Sequence, residues 1–156
     1  MRHARIYRKA LFIDQFVDSY KKVRGTRHFP HKAVKTIIHL IFPSSSVSGR
    51  GAFKTVHKIS SRARDLVLKT ANPQHVKSDI QAYNRLPANI RNRYFAKIYW
   101  STKYCLLQRY GKRRKVPPLE LQRLQTVAKT HGLRDAREAN VRFVDKLFKI
   151  VDASVR

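Results

Sequence analysis

Gly49-Arg50-Gly51-Ala52-Phe53-Lys54-Thr55-Val56 sets two glycines ahead of an aromatic residue. Lys69 follows Val56 by thirteen positions inside the apolar run Leu66-Val67-Leu68-Lys69. Glycines let a backbone approach a ligand closely, and exposed N–H groups in such a loop can face phosphate oxygens. A lysine on the following strand adds a positive charge for the same phosphates. The pattern also suits an ordinary turn in a serine-rich loop, so partners further along the chain decide its meaning.

Those partners stand near the other end. Asp135 is followed five residues later by Asn140, and Asp152 comes twelve residues after that, at the end of the apolar run Phe148-Lys149-Ile150-Val151. Two carboxylates and an amide on a loop and a strand end can meet around one cation. Mg²⁺ takes a few oxygen ligands plus substrate phosphates, so Asn140 and Asp152 suit it as ligands, and Asp135 is left to face a substrate hydroxyl. Read singly, Asp135 and Asn140 also suit turns and caps. Asp79 could pair with a cation one helical turn away.

In this order the residues resemble the protein-kinase-like fold, over about residues 47–154. The resemblance implies a glycine-rich loop at Gly49, Gly51, Ala52 and Val56. It makes Lys69 the lysine on the α and β phosphates of ATP and Asp79 the helix acid that orients it. Leu106 to Gly111 would be the hinge, with Leu107 and Gln108 beside adenine. Asp135 and Asn140 would form the catalytic loop, with Asn140 and Asp152 holding Mg²⁺. The sequence departs from the pattern in places. Lys54 replaces a third glycine, Asp79 is a methylene shorter than glutamate, and Ala153-Ser154 follows Asp152. The chain ends four residues after Asp152, so peptide binding by an activation segment and later helices is not expected of this chain, and residues 1–42 are candidates to fill part of that lobe.

The elements that must hold these groups read as follows. Residues 1–24 form a basic amphipathic helix (Ile6, Ala10, Ile13, Phe16, Val17, Tyr20, Val23), stopped by Gly25. Its arginines also suit a mitochondrial targeting peptide, against which Asp14 and Asp18 count. A second helix covers 31–41 and ends before Pro43 and Ser44-Ser45-Ser46. Strands follow at Phe53–Ile59 and Asp65–Lys69, joined by Ser60–Arg64. A helix covers about 75–86. Two aromatic strands occupy Tyr94–Trp100 and Lys103–Gln108, Lys112-Arg113-Arg114-Lys115 is an exposed connection, and a helix spans 119 to about 130. Two short strands, Val141–Val144 and Leu147–Val151, turn at Asp145-Lys146. The expected architecture is α+β: a kinase-like N-lobe of antiparallel sheet plus helix, a truncated helical C-lobe, and an N-terminal helical extension. The expected boundary separates a 1–42 extension from a 43–156 nucleotide-binding domain.

Composition narrows the function classes. Lys+Arg number 35 against 9 Asp+Glu, a formal charge of +26. Such an excess favours polyanions, above all nucleic acid or a ribonucleoprotein. The alternative to a small ATP- and Mg-dependent phosphotransferase is therefore a non-catalytic basic RNA-binding or ribosome-associated protein of kinase-like fold. A third reading lays the first helix on an anionic membrane surface. No window reaches the roughly eighteen apolar residues of a membrane span. Cys105 is the sole cysteine, which excludes an internal disulfide and a cysteine-based zinc site, and the histidines lack zinc spacing. Cys105 is expected to be buried and inert, and His131 to be a helix-end residue. A reducing, cytoplasmic location fits the cysteine usage.

Overall fold

The computed structural model describes residues 1–51, 53–60 and 65–155. The chain divides into two compact units, one of residues 1–76 with 99–108, the other of residues 77–98 with 109–156. The boundary drawn at residue 43 on composition runs through the first unit.

That unit opens with α1 (Ala4–Arg24) and α2 (His31–Ile41). Gly25 ends α1 in the left-handed region at φ 62°, its N–H donating to the Lys21 carbonyl, a conformation glycine adopts without a Cβ penalty. Lys9 ties the two helices together: its Nζ donates to the Ile41 carbonyl at 2.6 Å and lies over the Phe42 ring. The strands are β1 (Ser46–Arg50), β2 (Lys54–Ser60), β3 (Asp65–Ala71), β4 (Ile98–Ser101) and β5 (Cys105–Arg109). They form one sheet in the order β1-β2-β3-β5-β4, with β1–β2 and β2–β3 antiparallel. Most of the Ser60–Arg64 connection lies outside the described residues.

Alternation along the strands gives this sheet two distinct faces. On one, Ile59, Leu66, Leu68, Cys105 and Leu107 share a core with Ala10, Ile13, Val17, Val34 and Ile38 of the helices. The helical segment therefore packs on the sheet. His57 pairs with Leu68 on this face and is 2% exposed. Burial, with Lys35 and His31 nearby, pushes its pKa down to about 4. The other face carries Val56 and its cross-strand partner Lys69, with Val67, Leu106 and Gln108 at matching positions of the alternation.

Asp14 joins α1 to the turn between β4 and β5. It is 8% exposed and accepts from Thr102 Oγ1, Lys103 N–H and Tyr104 N–H at 3.0–3.2 Å. One turn on, Asp18 accepts from Lys103 Nζ and the Tyr104 hydroxyl. These two acids interrupt the apolar period because the turn supplies the donors that a buried carboxylate needs.

Helix α3 (Pro73–Arg85) begins in the first unit and ends in the second, which also holds α4 (Ala88–Tyr94) and α5 (Pro118–Thr130). The paired strands there are β6 (Leu133–Arg134) with β9 (Ser154–Val155) and β7 (Val141–Val144) with β8 (Leu147–Ile150). Asp145 and Lys146 make the β7–β8 turn with φ 49° and 71°, as a two-residue hairpin loop requires.

Several expected boundaries move. The helix expected from residue 75 starts at Pro73, whose missing N–H and preset φ suit a first helical position. The strand expected over Tyr94–Trp100 is wrong in its first half. Tyr94 ends a helix that starts after Pro87, Phe95 makes only an isolated bridge to Ile150, and the strand begins at Ile98. The strand expected from Lys103 begins at Cys105, because Thr102–Tyr104 turns to bind Asp14. Val23, counted in the apolar stripe, is 84% exposed. Leu124 and Ala128 of α5 are buried as their spacing predicts.

Two stability outcomes follow. Asp14→Ala strands the Lys103 and Tyr104 N–H groups and should cost about 2–4 kcal/mol in urea unfolding, with Asp14→Asn milder. Because folding lowers the His57 pKa, the unfolded chain takes up that proton first. Its contribution of about 3 kcal/mol is complete above pH of about 6.5 and is lost as pH falls to about 4. Urea midpoints of wild type and His57→Gln measured between those limits should converge as pH falls.

Candidate functional site

The glycine segment folds as a hairpin end. Gly49 pairs with Val56 and Arg50 with Thr55, and the Gly51 N–H donates to the Lys54 carbonyl at 2.9 Å. A Cβ placed on Gly49 meets no heavy atom within 4 Å, and one on Gly51 meets only the Lys54 carbonyl oxygen, at 3.9 Å. Among the described residues, neither glycine is demanded by packing. Phe53 is 62% exposed and stacks on His75 in the first turns of α3, with ring centroids 4.5 Å apart and planes 14° from parallel. Ala52 lies outside the described residues.

Lys69 sits mid-strand in β3 and is 5% exposed. A buried ammonium is costly unless other groups or a ligand offset its charge. Of the expected hinge residues, Leu107 and Gln108 are both fully buried, but they face opposite ways. Leu107 packs into the core shared with the helices, so its backbone alone is left for a ligand. Gln108 lies on the Lys69 side of the alternation. Cys105 is fully buried beside the Ala10 carbonyl, and burial raises its thiol pKa, which keeps it in the unreactive form.

In the second unit, Asp79 is 3% exposed on α3. Asp135 follows β6 with φ 69°, a left-handed conformation unusual outside glycine. Its Oδ2 accepts from the Ser154 hydroxyl at 2.8 Å, while its backbone carbonyl accepts from Asn140 Nδ2 at 2.7 Å. Asn140 closes a short 3₁₀ turn, Glu138–Asn140, and its own carbonyl accepts the Val151 N–H at 2.9 Å. Arg134 pairs with Ser154 in the β6–β9 ladder. Asp135, Asn140 and the Val151-Asp152 segment thus belong to one hydrogen-bonded loop cluster, with Asp152 half-buried beside it.

The donor set of this cluster is two carboxylates and an amide. Asn140 Nδ2 is engaged by the Asp135 carbonyl. Among the described residues no three His, Cys, Asp or Glu side chains form a metal-binding group. Oxygen donors of this kind are ones that a hard cation prefers and zinc does not. His131 caps α5, its N–H donating to the Val127 and Ala128 carbonyls.

Ser154 and the β6–β9 pair were not legible beforehand, because two-residue strands carry no period. The Phe53–His75 stack also went unread; an aromatic side chain at a glycine turn was its only signal. Among the described residues no helix is long and apolar enough to cross a membrane. No protein-family model matches the chain, and no curated protein matches it.

Gly49→Ala should leave thermal stability unchanged or slightly raised, within about 1 kcal/mol, because nothing fills the added volume. Gly132→Ala should cost about 1–2 kcal/mol. Gly132 sits at φ 71° with its notional Cβ only 3.2 Å from the Arg85 guanidinium. Paired melting curves of the two variants check this contrast.

Proposed function

We propose that this chain is a small kinase-like protein that binds ATP with Mg²⁺ and transfers its terminal phosphoryl group to a hydroxyl. The observation that carries the reading is the loop cluster of the second unit. Asn140 is bonded to the Asp135 carbonyl and to the N–H of Val151, the residue before Asp152, and β9 returns onto β6. Phosphoryl transfer asks for positioned oxygen ligands and a carboxylate aimed at the acceptor. The five-stranded sheet supports the same reading. Among the described residues nothing crowds Gly49 at its glycine hairpin end, and buried Lys69 lies opposite Val56 on the face away from α1 and α2.

Each residue then has a task. Lys69 binds phosphate oxygens. Val56 and Gln108 flank the nucleotide, with Leu107 contributing backbone groups. Asn140 Oδ1 and Asp152 would hold Mg²⁺, which would supply charge neutralisation for the phosphates. Asp135, with Oδ2 held by Ser154, would take the acceptor hydroxyl's proton through Oδ1 as the new P–O bond forms and the bond to the departing ADP breaks.

Titration calorimetry with Mg-ATP tests this. Lys69→Met removes a charge-assisted hydrogen bond and should weaken binding by about tenfold to a hundredfold. Asp152→Asn should abolish the Mg²⁺ dependence of that binding. Asp135→Asn should leave binding intact and stop turnover. If Lys69→Met and Asp152→Asn both bind as wild type does, the reading fails. Gly49→Ala, neutral for stability, should also weaken binding.

A further inference from the structure

The segment from Arg109 to Pro117 holds five cations and no acid. It is not a loose tether. Lys112 is bridged to Phe143 of β7 by two backbone hydrogen bonds, at 2.9 and 2.8 Å. Beside it, the Gly111 backbone abuts β7 so closely that a Cβ would lie 2.5 Å from Arg142 Cβ and Val144 Cγ2. The run Lys112-Arg113-Arg114-Lys115 is therefore pinned at its base while all four side chains are exposed.

Aromatic surface is interleaved with this charge. The Arg114 guanidinium lies 4.3 Å from the Phe143 ring centroid, and Phe143 meets Phe148 edge-on at 5.2 Å. Arg142 is fixed as well, its Nη1 donating to the Ala139 and Val141 carbonyls at 2.7 and 2.9 Å. Neutral carbonyls orient that guanidinium without cancelling its charge. Burial, together with the proximity of Arg113, lowers the Arg142 pKa. Nearby acids are committed elsewhere: Glu138 accepts the Val116 N–H, and Asp145 pairs with Arg109. Among the described residues none of the four run cations forms an ion pair.

We propose that Lys112–Lys115 with Arg142 and Phe143 form a binding face for single-stranded RNA, independent of the phosphotransfer reading. Guanidinium groups bind phosphate bidentately and offer planes on which bases stack. A pinned run loses less freedom on binding than a flexible tail does. An anionic membrane would also answer the charge. The rings here are half-buried and edge-packed, a platform for stacking and not an inserting wedge.

Fluorescence anisotropy with a labelled single-stranded uridine oligonucleotide tests this on the full chain across a salt series. Changing all four run residues to Gln should weaken binding about tenfold or more at about 0.1 M salt. The slope of log K against log salt should shrink by about 0.7 for each phosphate that is no longer neutralised. A control variant changes four exposed cations of α1 (Arg5, Arg8, Lys22 and Arg24) to Gln; it removes equal charge and should have a much smaller effect. Arg142→Lys, which keeps the charge, should still weaken binding. Ultraviolet crosslinks should map to residues 112–115 and 142–143. Equal losses in the two quadruple variants, an unchanged slope, crosslinks confined to residues 1–42, or tighter binding to phosphatidylserine vesicles than to RNA would each overturn the proposal. Far-ultraviolet circular dichroism confirms that each variant is folded before its result counts.

Discussion

A carboxylate buried on the inner side of α1 governs the first unit. Asp14 sits among Ala10, Ile13 and Val17, where an apolar residue would be expected, and is tolerated because three donors of the Thr102–Tyr104 turn converge on it. Leaving such a carboxylate without donors would cost several kcal/mol. The pairing therefore works in both directions. The helix needs the turn to bury Asp14, and the turn needs Asp14 because Lys103 and Tyr104 would otherwise keep unpaired N–H groups. This fixes where β5 begins, and with it the alternation that sends Leu107 to the helices and Gln108 to the other side.

The same constraint explains why the sheet is two-faced. With α1 and α2 held on one side, His57, Leu66 and Leu68 are enclosed there, and a neutral histidine is the outcome of that enclosure. Lys69 then stands across from Val56 on the opposite side, buried in the strand. The segment expected as a basic helical extension thus packs on the sheet face opposite Lys69. Its amphipathic pattern showed that it is helical but not what it covers, since a period names a buried face and never the neighbour that buries it.

Local chemistry was legible where one residue type enforces one conformation. Gly25 ends α1, and Asp145-Lys146 turns the β7–β8 hairpin with both residues at positive φ. Asp135 and Asn140 were read from spacing, and the structure ties them by a side-chain-to-backbone bond that spacing alone leaves open. What escaped was short or non-local. Helix α4 hid in a polar stretch, because Arg91, Asn92 and Arg93 give it no apolar stripe. β6 and β9 are two residues each and exist through their pairing. Asp14 was noticed only as an interruption, since its donors lie about ninety residues away in sequence.

Charge completes the argument. The chain has nine acidic residues against thirty-five Lys and Arg, and the acids are drawn into the interior or into local contacts. Asp14 and Asp18 hold the β4–β5 turn, Asp65 meets Lys58, and Glu120 meets Arg123. Asp145 fixes Arg109, Glu138 takes the Val116 N–H, Asp135 takes the Ser154 hydroxyl, and Asp79 is buried. Few carboxylates remain to neutralise the surface. Most exposed cations can therefore be balanced only by solvent ions or by an anionic partner, and a partner that releases many counterions gains entropy that solitary ions do not. The RNA face proposed at Lys112–Lys115 is a place where such an anion would meet cations held at a fixed base.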